Sequence, residues 1–393
     1  MLSNAVGDSQ KTIRQPIGGA VSQVVLWCEQ VNLHYAAWLR ALADMNVCSV
    51  KVIAFTPITP DRKKLGWTTP HITPAQVVIA NNPKGLDDAL AACDAKAVHI
   101  VEGIRGGWIA RKALRRLAAS GCRIGIISES CDDRGIRGGA RRWLYKVHIW
   151  RLREKIDFVL AMGDVGVKWY LSCGVPPNRV FPFMYTAETP VASVPSKRTG
   201  TRDSIVRIVY LGRCVKGKGV QDLLGALTEL GNAKVSLTVI GDGDLRAALE
   251  AAVSRSPILR ARVTFTGTVP YLEAVASLSD FDLLVLPSHC DGWGVVVNEA
   301  LMQGVPVVCS DMCGSKDLLA ESWRGGVFRS GSTQSLAKEL SLRVGAGQLP
   351  DEQRERLRTW SRRLYGGRIA EYFVSILDHL YSHGNRPEPP WKS

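Results

Sequence analysis

Short apolar runs alternate with amphipathic stretches along most of the chain. Runs rich in valine and isoleucine predict strands, and stretches with apolar residues every three to four positions predict the helices between them. In the first half, strands are predicted at 21–27, 50–55, 76–79, 98–101, 123–128 and 157–162. The intervening helices are predicted at 33–45, where Asn32 is a suitable N-cap, and at 108–118, 143–155 and 166–173.

The same alternation starts again in the second half. Strands are predicted at 205–211, 236–240, 263–265, 283–286 and 305–309. Helices are predicted at 218–230, 245–253 and 271–278, after residue 295, and at 368–383. Alternating strands and helices are typical of α/β proteins with doubly wound parallel sheets, which bind ligands at the carboxyl ends of their strands.

Breaks in this pattern divide the chain. Residues 1–16 are polar and aperiodic, which predicts a loose tail, and 187–203 has the prolines and small polar residues of a linker. We therefore predict two Rossmann-like domains, 17–186 and 204–365, that face each other across a cleft. The stretch 366–393 is predicted to form a helix that crosses back toward the first domain, followed by a tail.

One stretch, 291–300, combines two carboxylates with a glycine-bearing loop between a predicted strand and a predicted helix. Asp291 falls on the loop and Glu299 about a turn and a half inside the helix, so both are expected to face one cavity. The start of that helix favours an anion such as phosphate, bound by the N–H groups of Gly294, Val295 and Val296. The alternative is an ordinary strand-to-helix turn with an acidic residue near the helix start.

Two cations follow the first strand of the second domain. Lys218 lies at or near the start of the next helix, where a positive charge opposes the helix dipole at a cost of roughly 0.3–1 kcal/mol. Its position indicates that Lys218 and Arg213 meet an anion, whereas the neighbouring Lys216 is interpreted as solvated.

Together these motifs resemble the retaining glycosyltransferases of family four. The resemblance rests on the two acids of 291–300 around a glycine-aromatic-glycine core and on further segments in the family's order: 212–213 with 218–219, 239–243, 266–269, 286–288 and 304–308. It implies the GT-B fold and a hexosyltransferase that retains anomeric configuration without a metal ion. It also implies a nucleotide-diphosphate sugar, a UDP- or GDP-sugar, as co-substrate, with no permanently bound cofactor.

The resemblance assigns roles to individual residues. Glu299 would hold the ribose hydroxyls, Asp291 the transferred sugar, and Arg213 with Lys218 the diphosphate. Donor contacts are also expected at Gly212, Thr268, Val269, Gly292, Trp293, Gly294, Val295 and Val296. Asp291 departs from the family's glutamate, which leaves the donor sugar open. The acids of Asp242-Gly243-Asp244 follow a strand in a turn that the family shares, so no metal site is expected there.

The first domain matches the family less well. The family carries a histidine after the fifth strand, and the corresponding place here offers Glu129. Glu129 is either a residue near the sugar or a loop acid that caps a helix. His99 is interpreted as a core histidine and Glu102 as a residue that points toward the cleft, while His34 and His289 carry weaker signals.

The amino-acid composition and net charge limit the kinds of binding partner that are expected. The 46% hydrophobic content is typical of globular proteins, and the formal charge of +14 comes without a nucleic-acid-binding motif, so no nucleic acid partner is expected. A basic and aromatic segment at 134–155 predicts a helix on an anionic membrane surface; the alternative is a solvated basic face with its aromatic residues in the core. Ten cysteines without paired spacing and the lack of a signal peptide predict a cytoplasmic protein, peripheral on the inner face of the membrane.

The resemblance predicts transfer of a sugar to a glycan or lipid-linked acceptor in assembly of cell-surface polysaccharide or glycolipid. Two alternatives stay open. The departures at Asp291 and Glu129 suit a non-catalytic partner subunit that binds a nucleotide-sugar, and a nucleotide-sugar epimerase can share the GT-B architecture.

Overall fold

The computed structural model describes residues 20–59, 63, 70, 72–131, 135–189 and 205–392. The first sheet contains seven parallel strands in the order β3-β2-β1-β4-β5-β6-β7. These strands are β1 Gln23–Gln30, β2 Ser49–Thr56, β3 Gln76–Ile79, β4 Ala97–Glu102, β5 Arg123–Ser128, β6 Phe158–Met162 and β7 Val180–Phe183. The helices between them are Leu33–Asp44, Pro83–Ala91, Trp108–Ala119, Gly135–Leu152 and Gly163–Ser172.

The second sheet contains six parallel strands in the order β10-β9-β8-β11-β12-β13. These are β8 Val206–Leu211, β9 Val235–Ile240, β10 Val263–Gly267, β11 Leu283–Leu286, β12 Val307–Ser310 and β13 Gly325–Phe328. Its helices are Val220–Glu229, Arg246–Arg255, Pro257–Arg260, Tyr271–Ser277, Val296–Met302, Thr333–Gly345 and Asp351–Ser361. The two sheets confirm the predicted pair of doubly wound domains.

Each sheet has a topological switch point beside its first strand. β1 lies between β2 and β4, and β8 lies between β9 and β11, so the connections on either side leave in opposite directions. Such a reversal opens a crevice at the carboxyl ends of the strands. The turns that follow β8 and β11 carry the two cations and the paired acids, which places the candidate chemistry at the crevice of the second sheet.

The helix Gly366–Tyr381, named the crossing helix, packs on the first domain. Its Phe373 ring lies 5.3 Å from that of Trp38, and the Tyr372 hydroxyl donates to the Pro182 carbonyl at 3.1 Å. Gly366 lies so close to the helix Leu33–Asp44 that a Cβ there would be 2.3 Å from the Ala37 carbonyl oxygen. The crossing helix therefore contacts the first domain, and one buried cluster contains residues of both domains.

Several elements differ from the sequence prediction. The helix predicted at 143–155 is Gly135–Leu152, because the glycine-rich start is helical. Six further strands and α-helices among the described residues were not predicted. Two are strands: β7 is a short edge strand with an internal proline, and β13 opens on two glycines. The others are the helices Pro83–Ala91, Pro257–Arg260, Thr333–Gly345 and Asp351–Ser361. The predicted tail 1–16 and most of the predicted linker 187–203 lie outside the described residues.

Candidate active site

A cavity of about 240 Å³ lies where the two domains face each other. The second domain contributes the carboxyl ends of β8 and β11 together with Gly212, Lys218, Asp291 and residues 294–296. The first domain contributes His34, Glu129 and Tyr185. The structure thus brings together seven residues that the sequence pointed to: Glu129, Gly212, Lys218, Asp291, Gly294, Val295 and Val296.

Lys218 is held in the cavity by a tight turn. It ends the 3₁₀ turn Lys216–Lys218, and Gly219 follows in a left-handed conformation at φ +66°. A Cβ on Gly219 would lie 2.1 Å from the Pro287 carbonyl oxygen, so only glycine fits. From this turn Lys218 Nζ donates to Asp291 Oδ2 at 2.6 Å. Lys218, which is predicted to bind the diphosphate, and Asp291, which is predicted to bind the sugar, therefore form an ion pair.

His289 fixes the same turn from outside the cavity. Its backbone N–H donates to the Gly217 carbonyl at 2.9 Å, and its Nε2 lies 2.7 Å from Asp222 Oδ2 on the next helix. His289 is therefore a positioning residue for the turn that carries Lys218.

The signature loop, residues 291–295, is fixed at its first residue by two backbone hydrogen bonds. Asp291 N–H donates to the Met312 carbonyl at 3.1 Å, and its own carbonyl accepts from Gly314 N–H at 3.1 Å. Gly294 adopts φ +85°, which favours glycine. A Cβ on Gly292 would lie 2.0 Å from Glu129 Oε2, so this glycine lets the Glu129 carboxyl of the first domain reach the loop.

Trp293 does not line the cavity. Its side chain is fully buried, and its Nε1 donates to Asn298 Oδ1 at 2.9 Å. Asn298 in turn donates to the Tyr185 carbonyl of the first domain at 3.0 Å. The prediction that Trp293 contacts the donor is therefore wrong for its side chain. The indole lies in the core and, through Asn298, connects the loop to the first domain.

Glu299 is not among the residues that line the cavity, whereas Asp291 is. The helix begins only at Val296, so Glu299 falls in its first turn rather than a turn and a half inside, and it is 3% exposed. Its Oε1 accepts from the Tyr271 hydroxyl at 2.7 Å. Burial raises the pKa of Glu299 from 4.5 to about 7, although the Tyr271 hydrogen bond opposes the increase. The two acids therefore face different parts of the site.

We expect Glu299→Gln to stabilise the protein above pH 7. A carboxyl with a raised pKa holds its proton more firmly in the folded than in the unfolded state, so its contribution to stability is lost as pH rises from about 4.5 through about 7. At pH 8 the variant should be more stable by roughly 1–3 kcal/mol, and the gain should vanish near pH 4.5. Thermal unfolding at both pH values measures this; the exposed Glu352→Gln is the control, and a gain independent of pH would contradict the assignment.

Glu129 belongs to a network of side chains in the first domain. Burial raises the pKa of Glu129, and the negative charges of Asp291 and Glu102 add to this, while a hydrogen bond from Tyr185 opposes it. Tyr185 is also bonded to Tyr35, whose hydroxyl donates to Glu102 Oε1 at 2.9 Å. The network joins the carboxyl ends of β4 and β5 and places one carboxyl at the cavity.

Other predicted residues lie outside the cavity. Arg213 and Thr268 are exposed, and Val269 packs against the core near Tyr271, on the side where Glu299 is buried. His99 is a core residue, as predicted: it is buried, accepts from Trp27 Nε1 at 3.1 Å, and its pKa is lowered to about 4 by burial. Sequence reasoning missed Tyr185 and Tyr271 and gave little weight to His34.

No group of three metal-ligating side chains converges within the described part of the chain. Lys218 lines the cavity as a cation, with its Nζ 2.6 Å from Asp291 Oδ2.

The fold and the site define an α/β protein whose ligand site lies at the seam of two parallel sheets. The chain is similar along almost its whole length to two solved structures. The lipopolysaccharide outer core galactosyltransferase WaaB is 15% identical, with a TM-score of 0.67 over 90% of this chain and 99% of that one. Anabaena HepE in complex with UDP is 14% identical, with a TM-score of 0.65 over 91% and 100%. These similarities show that the fold is GT-B.

Residues 196–360 match the family model described as Glycosyl transferases group 1. A 2-deoxystreptamine glucosyltransferase of Streptomyces kanamyceticus is 31% identical over 37% of this chain and 41% of its own length. A glycogen synthase of Mycobacterium tuberculosis is 34% identical over 46% and 43%. The chain thus aligns with less than half of each of these relatives. The family resemblance seen in the sequence is confirmed.

Proposed function

We propose that the protein is a hexosyltransferase that moves a sugar with retention from a nucleotide-diphosphate donor to a glycan or lipid-linked acceptor. The observation that carries this proposal is the interdomain cavity in which Lys218 and Asp291 meet Glu129. Anabaena HepE, which shares the fold, binds UDP. A UDP- or GDP-sugar is the proposed donor, and the match of residues 196–360 to the group 1 family supports it.

Each part of the donor has a proposed place. The diphosphate lies against Lys218, with Arg213 at the rim, and the ribose lies toward the buried Glu299 and Tyr271. The sugar lies in the cavity between Asp291 and Glu129. Binding of the diphosphate draws Lys218 away from Asp291, which frees the Asp291 carboxylate for a sugar hydroxyl.

The proposed reaction is a front-face displacement without a metal ion. The bond from the anomeric carbon to the diphosphate oxygen breaks as the bond to the acceptor oxygen forms, and the acceptor proton passes to the departing diphosphate. Lys218 stabilises the negative charge that grows on the diphosphate, which favours the transition state over the ground state. The Ser288 hydroxyl donates to Asp291 Oδ2 at 3.3 Å, which weakens this carboxylate as a nucleophile. A glycosylated side chain trapped during turnover would overturn this mechanism.

A nucleotide screen tests the donor assignment. UDP or GDP at a hundred times its dissociation constant should stabilise the protein by about 2.7 kcal/mol, seen as a rise in unfolding temperature. Glu299→Ala should abolish the rise, and the exposed Glu352→Ala should keep it. If UDP, GDP, ADP and dTDP all leave the unfolding temperature unchanged, the proposed donor site is wrong. Transfer or hydrolysis of the sugar then separates an enzyme from a non-catalytic binding subunit, and isomerisation of the sugar would indicate an epimerase.

The helix Gly135–Leu152 supports a peripheral membrane location for this reaction. Trp143 and Trp150 are 64% and 62% exposed, and Ile136 lies seven residues before Trp143, so the three share one face of the helix. Arg153 stacks over the Trp150 ring at 5.5 Å. Exposed indoles among cations suit an anionic membrane surface rather than a solvated face with its aromatic residues in the core. No helix in the described residues has the length and apolar character to span a bilayer.

We expect the protein to sediment with vesicles of anionic lipid and not with vesicles of neutral lipid. The double variant Trp143→Ser/Trp150→Ser should reduce binding by about tenfold or more, because each indole contributes apolar burial at the interface. Leu342→Ser, which removes an exposed apolar side chain from the second domain, is the matched control. Equal binding of the double variant and the control would exclude this helix as the contact surface.

A further inference from the structure

A segment that follows the crossing helix runs back along the first domain. This returning segment, residues 384–392, is fixed to the edge strand β7 and the turn before it by Arg386. The guanidinium donates to the Asn178 carbonyl at 3.1 Å and to the Val180 carbonyl at 2.6 Å, and it stacks over the Phe181 ring at 4.4 Å. The segment therefore follows a defined path toward the domain seam.

The path ends with Trp391 inserted beneath the signature loop. Trp391 is 2% exposed, and its ring centroid lies 6.5 Å from that of Trp293 and 5.9 Å from that of Tyr372, both with edge-on geometry. Its indole thus connects the crossing helix to the one signature residue whose side chain points into the core.

The next residue, Lys392, lies at a contact between the two domains. Lys392 Nζ lies 3.2 Å from Asp164 Oδ1, and the Asp164 N–H donates to Asp317 Oδ2 of the second domain at 2.5 Å. Burial raises the pKa of Asp317 to about 6. At the same contact a Cβ on Gly163 would lie 2.7 Å from the Gly314 carbonyl oxygen, so the two domains touch backbone to backbone. The returning segment therefore ends at a close contact between the two domains.

The two neighbours of Trp293 in sequence, Gly292 and Gly294, contact the first domain and the cavity, respectively. Gly292 touches the Glu129 carboxyl, and Gly294 lines the cavity. The Trp293 carbonyl accepts from Ser315 N–H at 2.9 Å, which ties the loop to the seam. A shift of the Trp293 indole would therefore displace both glycines.

We infer that Trp391 is a positioning residue for the signature loop, acting through Trp293. Trp391 fills the space behind the Trp293 ring and so fixes Gly292 against Glu129 and Gly294 at the cavity. Its effect on turnover rests on the proposed function, whereas its effect on the loop does not. No hydrogen bond to its Nε1 occurs among the described residues, so its contribution is that of an aromatic ring in a fitted space.

Hydrogen exchange tests the inference without any substrate. In Trp391→Ala, the amides of residues 291–299 and 313–316 should exchange about tenfold faster than in the wild type, because the loop opens locally. Trp391→Phe should restore slow exchange, because a smaller ring still fills most of the space. Trp360→Ala removes a half-buried indole that packs edge-on against Trp323 and is the matched control; it should not accelerate the loop selectively.

Steady-state kinetics of the same variants provide a second test. With the donor found by the nucleotide screen, Trp391→Ala should lose roughly 10²-fold in kcat/KM, because a small displacement of the loop spoils the reacting geometry, and Trp391→Phe should recover most of it. Should Trp391→Ala fail to fold, Trp391→Leu takes its place in both arms. Faster exchange spread evenly over the chain, or unchanged exchange at 291–299, would overturn the inference. Faster exchange at the loop in a protein without transfer activity would support it and refute the proposed function instead.

Discussion

Lys218→Ala should lower the turnover of sugar transfer by about 10²–10³-fold, the loss typical for one fixed donor to a developing negative charge. Lys218 is the cation that the structure places inside the cavity, at the end of a turn that only glycine at 219 allows. In the proposed reaction its charge faces the departing diphosphate, where negative charge grows in the transition state. Because that charge grows during the reaction, the loss should appear mainly in kcat rather than in KM.

The neighbouring Lys216→Ala is the matched control. Lys216 opens the same 3₁₀ turn but is exposed and does not line the cavity, so its removal should change turnover less than about twofold. Initial rates over a range of donor concentrations give kcat and KM for both variants. Equal effects of the two substitutions would show that the turn contributes only general positive charge, and the assigned role of Lys218 would then fail.

Much of the fold could be predicted because its signals are local. The valine-rich runs became strands within a few residues of their predicted bounds, and Asn32 caps its helix by accepting from His34 N–H at 3.0 Å. The parallel arrangement follows from the same alternation, whereas the strand order is known only from the structure. Elements without a periodic signal, such as β7 and β13, could not be found this way because pairing with a neighbouring strand creates them.

The site could be predicted where its motifs directly follow strands, because the ends of adjacent parallel strands lie close together. Lys218 and Asp291 are 73 residues apart and still meet at 2.6 Å, because each follows one of two adjacent strands at the switch point. The hydrogen bonds of Tyr271 and Tyr185 could not be predicted, since each depends on the relative placement of elements far apart in sequence. Trp391 is the extreme case: nothing near it in the sequence indicates that it packs against Trp293.

Breaking the buried ion pair between Arg354 and Asp282 has the largest predicted effect on stability. Arg354→Ala should lower the free energy of unfolding of the second domain by about 3 kcal/mol, because it removes the buried cation that faces Asp282 Oδ1, while the partly exposed Arg207 Nε stays 3.4 Å from Oδ2. The Arg354 guanidinium donates to Asp282 Oδ1 at 2.8 Å, and their side chains are 2% and 1% exposed. Denaturant unfolding followed by tryptophan fluorescence measures the change.

Two further variants separate a lost charge partner from lost packing. Arg358→Ala, one turn along the same helix, removes a partly exposed ion pair with Glu355 and should cost no more than about 1 kcal/mol. The double variant Arg354→Met/Asp282→Leu removes both charges and should recover most of the stability, as apolar replacements of buried ion pairs often do. Because Asp282 immediately precedes β11, whose far end leads to Asp291, the single variant should also weaken nucleotide binding while the double variant restores it. Recovery of neither stability nor binding in the double variant would show that the pair also fixes the geometry of β11.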